Sequence, residues 1–176
     1  WDETFGALRT HTLAVREVVA PGRAYGIGLR LSNTASLELA ASPEQRGAFR
    51  DWLEQNDCYL YTINGFPFGT FHGSRVKEQV YQPDWSSPER LDYTCRLFDL
   101  LLELAPENIG LSVSTLPGSF KEFIQPPTAS ARLEAIRGNL LACSAHIDRL
   151  RERSGRDLHL GLEPEPLGLF ETSAET

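Results

Sequence analysis

The feature that most constrains the fold is an alternation of short apolar segments with longer segments of helical periodicity. The predicted order is helix 3–19, strand 25–32, helix 43–56, strand 58–63, a helix opening at 87–89, strand 109–115, helix 128–154 and strand 158–162. Strands that alternate with crossover helices are typical of a parallel sheet with right-handed connections. The sequence therefore predicts an α/β fold with four parallel strands.

Two serine-proline pairs mark predicted helix starts. Ser42-Pro43 and Ser87-Pro88 each combine an N-cap residue with proline at the first helical position. Residues at helical spacing are predicted to face the core: Phe5, Leu8, Thr12, Val15, Val19 in the first helix, and Leu133, Ile136, Leu140, Cys143, Ile147, Leu150 in the last. A further helix is predicted to begin near Glu171.

Two architectures fit this alternation, an open doubly wound sheet and a closed (β/α)8 barrel. No GxGxxG follows the first strand and no GxxxxGK[ST] occurs, which disfavours a nucleotide-binding sheet. Both architectures place function at the carboxyl ends of the strands. A complete barrel takes about 250 residues. The 176 residues are therefore expected to form a single domain, 1–176, that is a partial barrel.

The composition limits which binding partners the protein is expected to have. The chain is 41% hydrophobic and carries a net charge of -7, so we expect an ordered domain and no nucleic-acid partner. Its apolar runs are far shorter than the ~20 residues needed to span a membrane. The cysteines Cys58, Cys95 and Cys143 form no CxxC pair, which favours free thiols in the cytoplasm. Nothing in the sequence indicates the oligomeric state.

The loop after the second strand, 64–72, carries three phenylalanines and has a polar residue at each end, Asn64 and His72. Aromatic side chains on a loop containing glycine and proline favour a pocket wall made by Phe66 and Phe68. Asn64 and His72 are predicted either to bind a sugar-like molecule or to be a turn residue and a packing histidine. Lys77 is predicted either to neutralise a substrate oxyanion or to be solvated.

Two carboxylates follow the end of the fourth predicted strand. Glu163 comes directly after an apolar strand, and Pro164 and Pro166 hold Glu163 and Glu165 on one side of an extended segment. A dehydrated carboxylate needs compensation, which a divalent cation supplies. The alternative is a solvated acidic turn. The third strand runs into 114–121, where amides and hydroxyls are predicted either to bind an anion or to form an ordinary turn.

The segment 162–166, followed by 170–172, resembles the xylose isomerase-like TIM barrels, which include sugar isomerases and epimerases. The resemblance implies that Glu163 is a metal ligand and that Glu171 faces the substrate. Xylose isomerases carry lysine where this chain has Glu165, so the resemblance does not extend to their hydride shift.

The segment 62–72, together with Val76-Lys77 and 81–85, resembles more specifically the EboE family of metabolite traffic proteins. This resemblance implies a barrel section containing strands two to five, with the other metal ligands beyond Thr176. The superfamily resemblance implies a divalent-metal (Mn, Mg or Zn) sugar or sugar-phosphate isomerase or epimerase, and the EboE resemblance adds a secondary metabolite as a candidate substrate. Taken with the loop residues, the candidate catalytic residues are Glu163 and His72, and the candidate substrate-binding residues are Asn64, Phe66, Phe68, Lys77, Glu165 and Glu171. The alternatives are a non-catalytic metabolite-binding barrel and, disfavoured by the negative charge, a relative of phosphodiesterases and AP endonucleases.

Overall fold

The computed structural model describes residues 1–69 and 77–175, which form an α/β domain with a four-stranded parallel sheet. The strands are β1 Tyr25–Arg30, β2 Cys58–Asn64, β3 Leu111–Thr115 and β4 Leu158–Leu162. The helices are α1 Asp2–Ala7, α2 Leu13–Val19, α3 Asn33–Ala41, α4 Pro43–Gln55, α5 Pro88–Leu104 and α6 Ala129–Ser154. A π-helical turn, Leu8–Thr12, joins α1 to α2, and Lys77–Tyr81 and Lys121–Phe123 are short 3-10 helices.

Each strand pairs in parallel with the strand that follows it in the chain, in the order β1-β2-β3-β4. The register places Arg30, Asn64, Ser114 and Gly161 in one row across the sheet. The carboxyl ends of all four strands therefore meet at one edge. The order contains no reversal of the kind that defines a doubly wound sheet.

One face of the sheet packs against helices and the other does not. Alternate strand residues such as Leu29, Leu60 and Val113 are buried in a core shared with α3 to α6. Their neighbours on the opposite face are small or polar and at least partly exposed: Gly26, Gly28, Tyr59, Tyr61, Ser112, Ser114, His159 and Gly161. The helices thus form a layer on a single side of the described sheet.

The main sequence predictions of strands and helix starts are confirmed. Strand 158–162 has the predicted bounds, and β2 extends one residue beyond them. The hydroxyls of Ser42 and Ser87 accept hydrogen bonds from the amides of Gln45 and Glu89, and each cap is followed by proline at the helix start. Local capping chemistry was sufficient to locate these two helices.

Helix α3 was not predicted. It is capped by Ser32, whose hydroxyl accepts a hydrogen bond from the amide of Ala35. Its sequence, NTASLELAA, lacks a clear apolar stripe because two of its three buried residues, Ala35 and Ser36, are small, and only Leu39 is a large apolar residue. The predicted first strand is correspondingly too long, since β1 ends at Arg30.

Three predictions of side-chain position or helix formation are wrong. The π-helical turn inserts an extra residue and so rotates the helix face that follows it. Phe5, before the turn, is buried, whereas Val15 and Val19, after it, are exposed. Leu133 in α6 is 43% exposed. The segment beginning at Glu171 forms a turn instead of a helix within the residues described up to 175.

In the described part of the chain, no helix has the combined length and apolarity that crossing a membrane requires.

Candidate functional site

A cavity of about 620 Å³ lies at the carboxyl ends of β2, β3 and β4. Its lining residues are Asn64, Phe66, Pro67, Glu78, Val80, Tyr81, Phe120, Glu163, Glu165, Pro166 and Leu167. They come from the three loops that follow these strands. The cavity therefore depends on the parallel register, which brings these loops together.

The aromatic side of the cavity is a chain of three rings in mutual contact. The ring centroids of Phe66 and Tyr81 are 5.2 Å apart, and those of Tyr81 and Phe120 are 5.1 Å apart. All three residues are mostly buried. Such pairs stabilise their own geometry, so this side presents a preformed aromatic surface.

Three glutamates also line the cavity. Glu163 continues the sheet, because its amide donates to the Thr115 carbonyl oxygen at 2.9 Å, and Glu165 follows on the exposed loop. Glu78 approaches from the 3-10 helix. Burial raises the pKa of Tyr81, and the charges of Glu165 and Glu171 raise it further. The Tyr81 hydroxyl thus senses a negative potential.

Arg90 of α5 stabilises the β2 loop, residues 64–69 and 77–87, through hydrogen bonds to its backbone. The Arg90 side chain is fully buried and donates to the carbonyl oxygens of Pro83 (2.8 Å), Gly65 (2.7 Å) and Phe66 (3.1 Å). Its guanidinium also lies 5.4 Å from the Phe68 ring centroid. Burial lowers the pKa of Arg90 to about 10, so the side chain stays charged at neutral pH.

Asp84 connects the β2 loop to the β3 loop, residues 116–128. Its buried carboxylate accepts hydrogen bonds from the hydroxyls of Ser86 and Ser119 and from Arg132 of α6 at 2.7 Å. Burial alone would raise the pKa of Asp84, but the hydrogen bonds outweigh burial and lower it. The neighbouring Trp85 donates to the Thr115 hydroxyl at 3.2 Å. These contacts anchor the loop that carries Tyr81.

The β4 loop, residues 163–175, pairs with the β3 loop through the backbone. The Lys121 amide donates to the Leu167 carbonyl oxygen at 2.8 Å, and the Leu169 amide donates to the Ser119 carbonyl oxygen at 2.7 Å. Gly168 lies at this crossing, where an added Cβ would be only 2.5 Å from Cγ of Pro117. Glycine is therefore needed for the close approach of the two loops.

Lys121 joins the same two loops through its side chain. Its ammonium group pairs with the carboxylate of Glu171 and with that of Glu175, the latter at 3.0 Å. The hydrogen bond from Lys121 lowers the pKa of Glu171. This ion pair is partly exposed, and Glu171 does not line the cavity.

Four of the predicted site residues, Asn64, Phe66, Glu163 and Glu165, line the cavity together. Asn64 also forms the predicted turn, because its side-chain oxygen accepts a hydrogen bond from the Phe66 amide at 3.0 Å. Phe68 does not line the cavity and instead packs edge-to-face on Tyr93, with centroids 5.1 Å apart.

Two further predicted residues fall on the part of the loop that is not described. His72 lies outside the described residues, and Lys77 begins the 3-10 helix Lys77–Tyr81 while its side chain is likewise outside what is described. Their predicted roles stay predictions.

Of the two alternatives for the segment after the third strand, the structure shows the ordinary turn. The amides of Gly118 and Ser119 already donate to the carbonyl oxygens of Leu116 and Pro117, each at 2.9 Å, and the Ser119 hydroxyl donates to Asp84. Gly118 has φ +77°, which is typical of a tight turn. The segment therefore forms the ordinary Ser/Gly turn.

Sequence reasoning missed Glu78 and Phe120 as members of the site, and it noted Tyr81 only as an aromatic neighbour. The available signal was weak. All three residues lie on loops that follow predicted strands, but nothing local distinguishes them from the other polar and aromatic residues of those loops.

The described residues do not make a complete metal site. Within 1–69 and 77–175, no group of three or more His, Cys, Asp or Glu side chains is arranged to hold a metal ion. Glu78, Glu163 and Glu165 line one cavity, but they are not grouped closely enough to share one cation. The assignment of Glu163 as a metal ligand stays a prediction.

No protein-family model matches this chain, and neither a curated protein nor a solved structure matches it.

Proposed function

We propose that the sheet is a section of a (β/α)8 barrel of the xylose isomerase-like, EboE type. The supporting features are the sequential strand order and the single layer of helices. When every right-handed crossover connects a strand to its immediate neighbour, all the helices lie on the same side of the sheet. A barrel wall has this arrangement.

In this proposal the protein binds a small sugar-like or secondary metabolite at the carboxyl ends of its strands. The observation that carries the proposal is the cavity itself, which unites Asn64, Phe66, Glu163 and Glu165 from loops about 100 residues apart in the chain. Its volume suits a small molecule, and apolar walls with a few polar groups are typical of ligand sites.

The proposed reaction is isomerisation or epimerisation of a sugar or sugar phosphate. This reaction class comes from the resemblance of segment 162–172 to the xylose isomerase-like barrels. Glu163 or Glu165 would accept a proton from the carbon next to a substrate carbonyl, while the rings of Phe66, Tyr81 and Phe120 would exclude water. A divalent metal would polarise that carbonyl when bound, but the described residues do not complete its site, and no step here depends on it.

The second candidate is a non-catalytic carrier of an apolar metabolite. One observation favours it, the chain of aromatic rings in contact along the cavity. Such a protein would bind its ligand without exchanging any substrate proton.

Glu163→Gln in the intact protein tests the catalytic proposal. We expect the variant to lose bound divalent metal, measured by elemental analysis, and to lose exchange of a sugar's α-proton with deuterated solvent, measured by NMR. Glu152→Gln, an exposed acid of α6, is the matched control and should change neither.

Unchanged metal content in Glu163→Gln would contradict the metal assignment. Ligand retention without any proton exchange in the unaltered protein would favour the carrier over the isomerase.

A further inference from the structure

The charges around the cavity are one-sided. Among its described lining residues, three are glutamates, Glu78, Glu163 and Glu165, and none is a lysine, arginine or histidine. The described lining of the cavity therefore combines three carboxylates with three aromatic rings.

Three described cations of the surrounding elements are engaged elsewhere. Lys121 pairs with Glu171 and Glu175, and Arg132 pairs with Asp84. Arg90 is buried beneath the β2 loop on three carbonyl oxygens. None of these three cations lines the cavity, so none of them neutralises its carboxylates by direct contact.

The aromatic side adds to the preference for positive charge. The faces of aromatic rings carry negative electrostatic potential and attract ammonium groups. Phe66, Tyr81 and Phe120 hold each other in place by edge-to-face or tilted contacts, so their surfaces are available without reorganisation. Burial raises the pKa of Tyr81, and the charges of Glu165 and Glu171 raise it further.

We propose that the cavity selects a metabolite that carries an amino group, with the ammonium held between Glu165 and the Tyr81 ring and the remaining body against Phe66 and Phe120. This inference rests on the proposed small-molecule site and names its substrate class. An amino sugar or an amine-bearing aromatic metabolite meets the requirement, whereas an anionic sugar phosphate does not.

Two matched pairs of probes test the inference with the full chain: glucosamine against glucose, and benzylamine against benzyl alcohol. Each pair differs by an ammonium group in place of a hydroxyl. We expect each amine to bind about tenfold more tightly than its neutral partner in calorimetry or NMR titration at neutral pH. EDTA is present throughout, so metal binding does not contribute.

Glu165→Gln should reduce the preference for the amine severalfold, because it removes the negative charge proposed to hold the ammonium group while keeping a side chain of similar size. Glu152→Gln is again the control and should retain the full preference.

The outcomes separate this inference from the broader function. An amine preference in both pairs supports the inference and the sugar-like substrate. A preference shown only by benzylamine supports the inference and overturns the sugar. Equal or absent binding within both pairs, or a preference that survives Glu165→Gln, overturns the inference.

Discussion

The β2 loop and the β4 loop face each other across one cavity but are anchored in different ways. The β2 loop rests on buried polar side chains, Arg90 and Asp84, whose partners are mostly backbone carbonyls and hydroxyls. The β4 loop is tied by a few backbone hydrogen bonds and by the partly exposed pair of Lys121 with Glu171.

The difference indicates that the part of the cavity lined by the β2 loop is rigid and that the part lined by the β4 loop is adaptable. A buried charged donor is costly to leave without partners, which makes the loop conformation it supports hard to change. An exposed ion pair contributes little and is easily exchanged for water. The β2 loop should therefore define the shape of the ligand, while the β4 loop adjusts to it.

The largest effect is expected for Arg90→Met. Three buried carbonyl oxygens would lose their charged donor, so the free energy of unfolding should fall by about 3 kcal/mol. Urea denaturation measures the change. Arg149→Met, on the exposed side of α6, is the control and should cost less than about 0.5 kcal/mol. Equal effects of the two substitutions would contradict the rigid anchoring of the β2 loop.

A smaller effect, with a characteristic pH dependence, is expected for Asp84→Asn. The variant should lose about 2 kcal/mol at pH 7, since the carboxylate accepts several hydrogen bonds that include one from Arg132. Because the folded-state pKa of Asp84 lies below its ordinary value, its stabilisation is present above that ordinary value and is lost as the pH falls through the folded-state pKa.

Denaturation at pH 7 and pH 3 measures this dependence. The unaltered protein should lose more stability on acidification than Asp84→Asn does. The exposed Asp51→Asn in α4 should behave like the unaltered protein, and an identical acid response in all three proteins would refute the role of Asp84.

The smallest effect on global stability is expected for Lys121→Gln. The ion pair with Glu171 is partly exposed, so the unfolding midpoint should not change measurably. Amide hydrogen exchange should nevertheless accelerate at Leu167, whose amide donates to the Glu171 carboxylate at 2.8 Å. Arg137→Gln, which removes an exposed pair with Glu134 on α6, should leave that exchange unchanged. A large drop in the midpoint would show that the β4 loop is as firmly anchored as the β2 loop.

The structural role of a residue could be predicted where the sequence pattern that determines it spans only a few neighbouring residues. Pro43 and Pro88 were recognised because a cap acts over a few residues. Helix α3 was missed because burial of small residues such as Ala35 and Ser36 depends on what packs above them. Phe66 and Phe68 look alike in the sequence, yet one lines the cavity and the other packs on Tyr93. Only the position of α5 decides between them.

The sequence by itself determined the alternation of strands and helices, the helix starts and the presence of Glu163 and Glu165 at a strand end, because periodicity, capping and proline act within a few residues. The tertiary structure decided the sequential strand order, the pairing of the β3 and β4 loops and the meeting of Phe66, Tyr81 and Phe120 with the glutamates. The physical reason is that these contacts join residues far apart in the chain, and only the register of the parallel sheet brings their loops to the same edge.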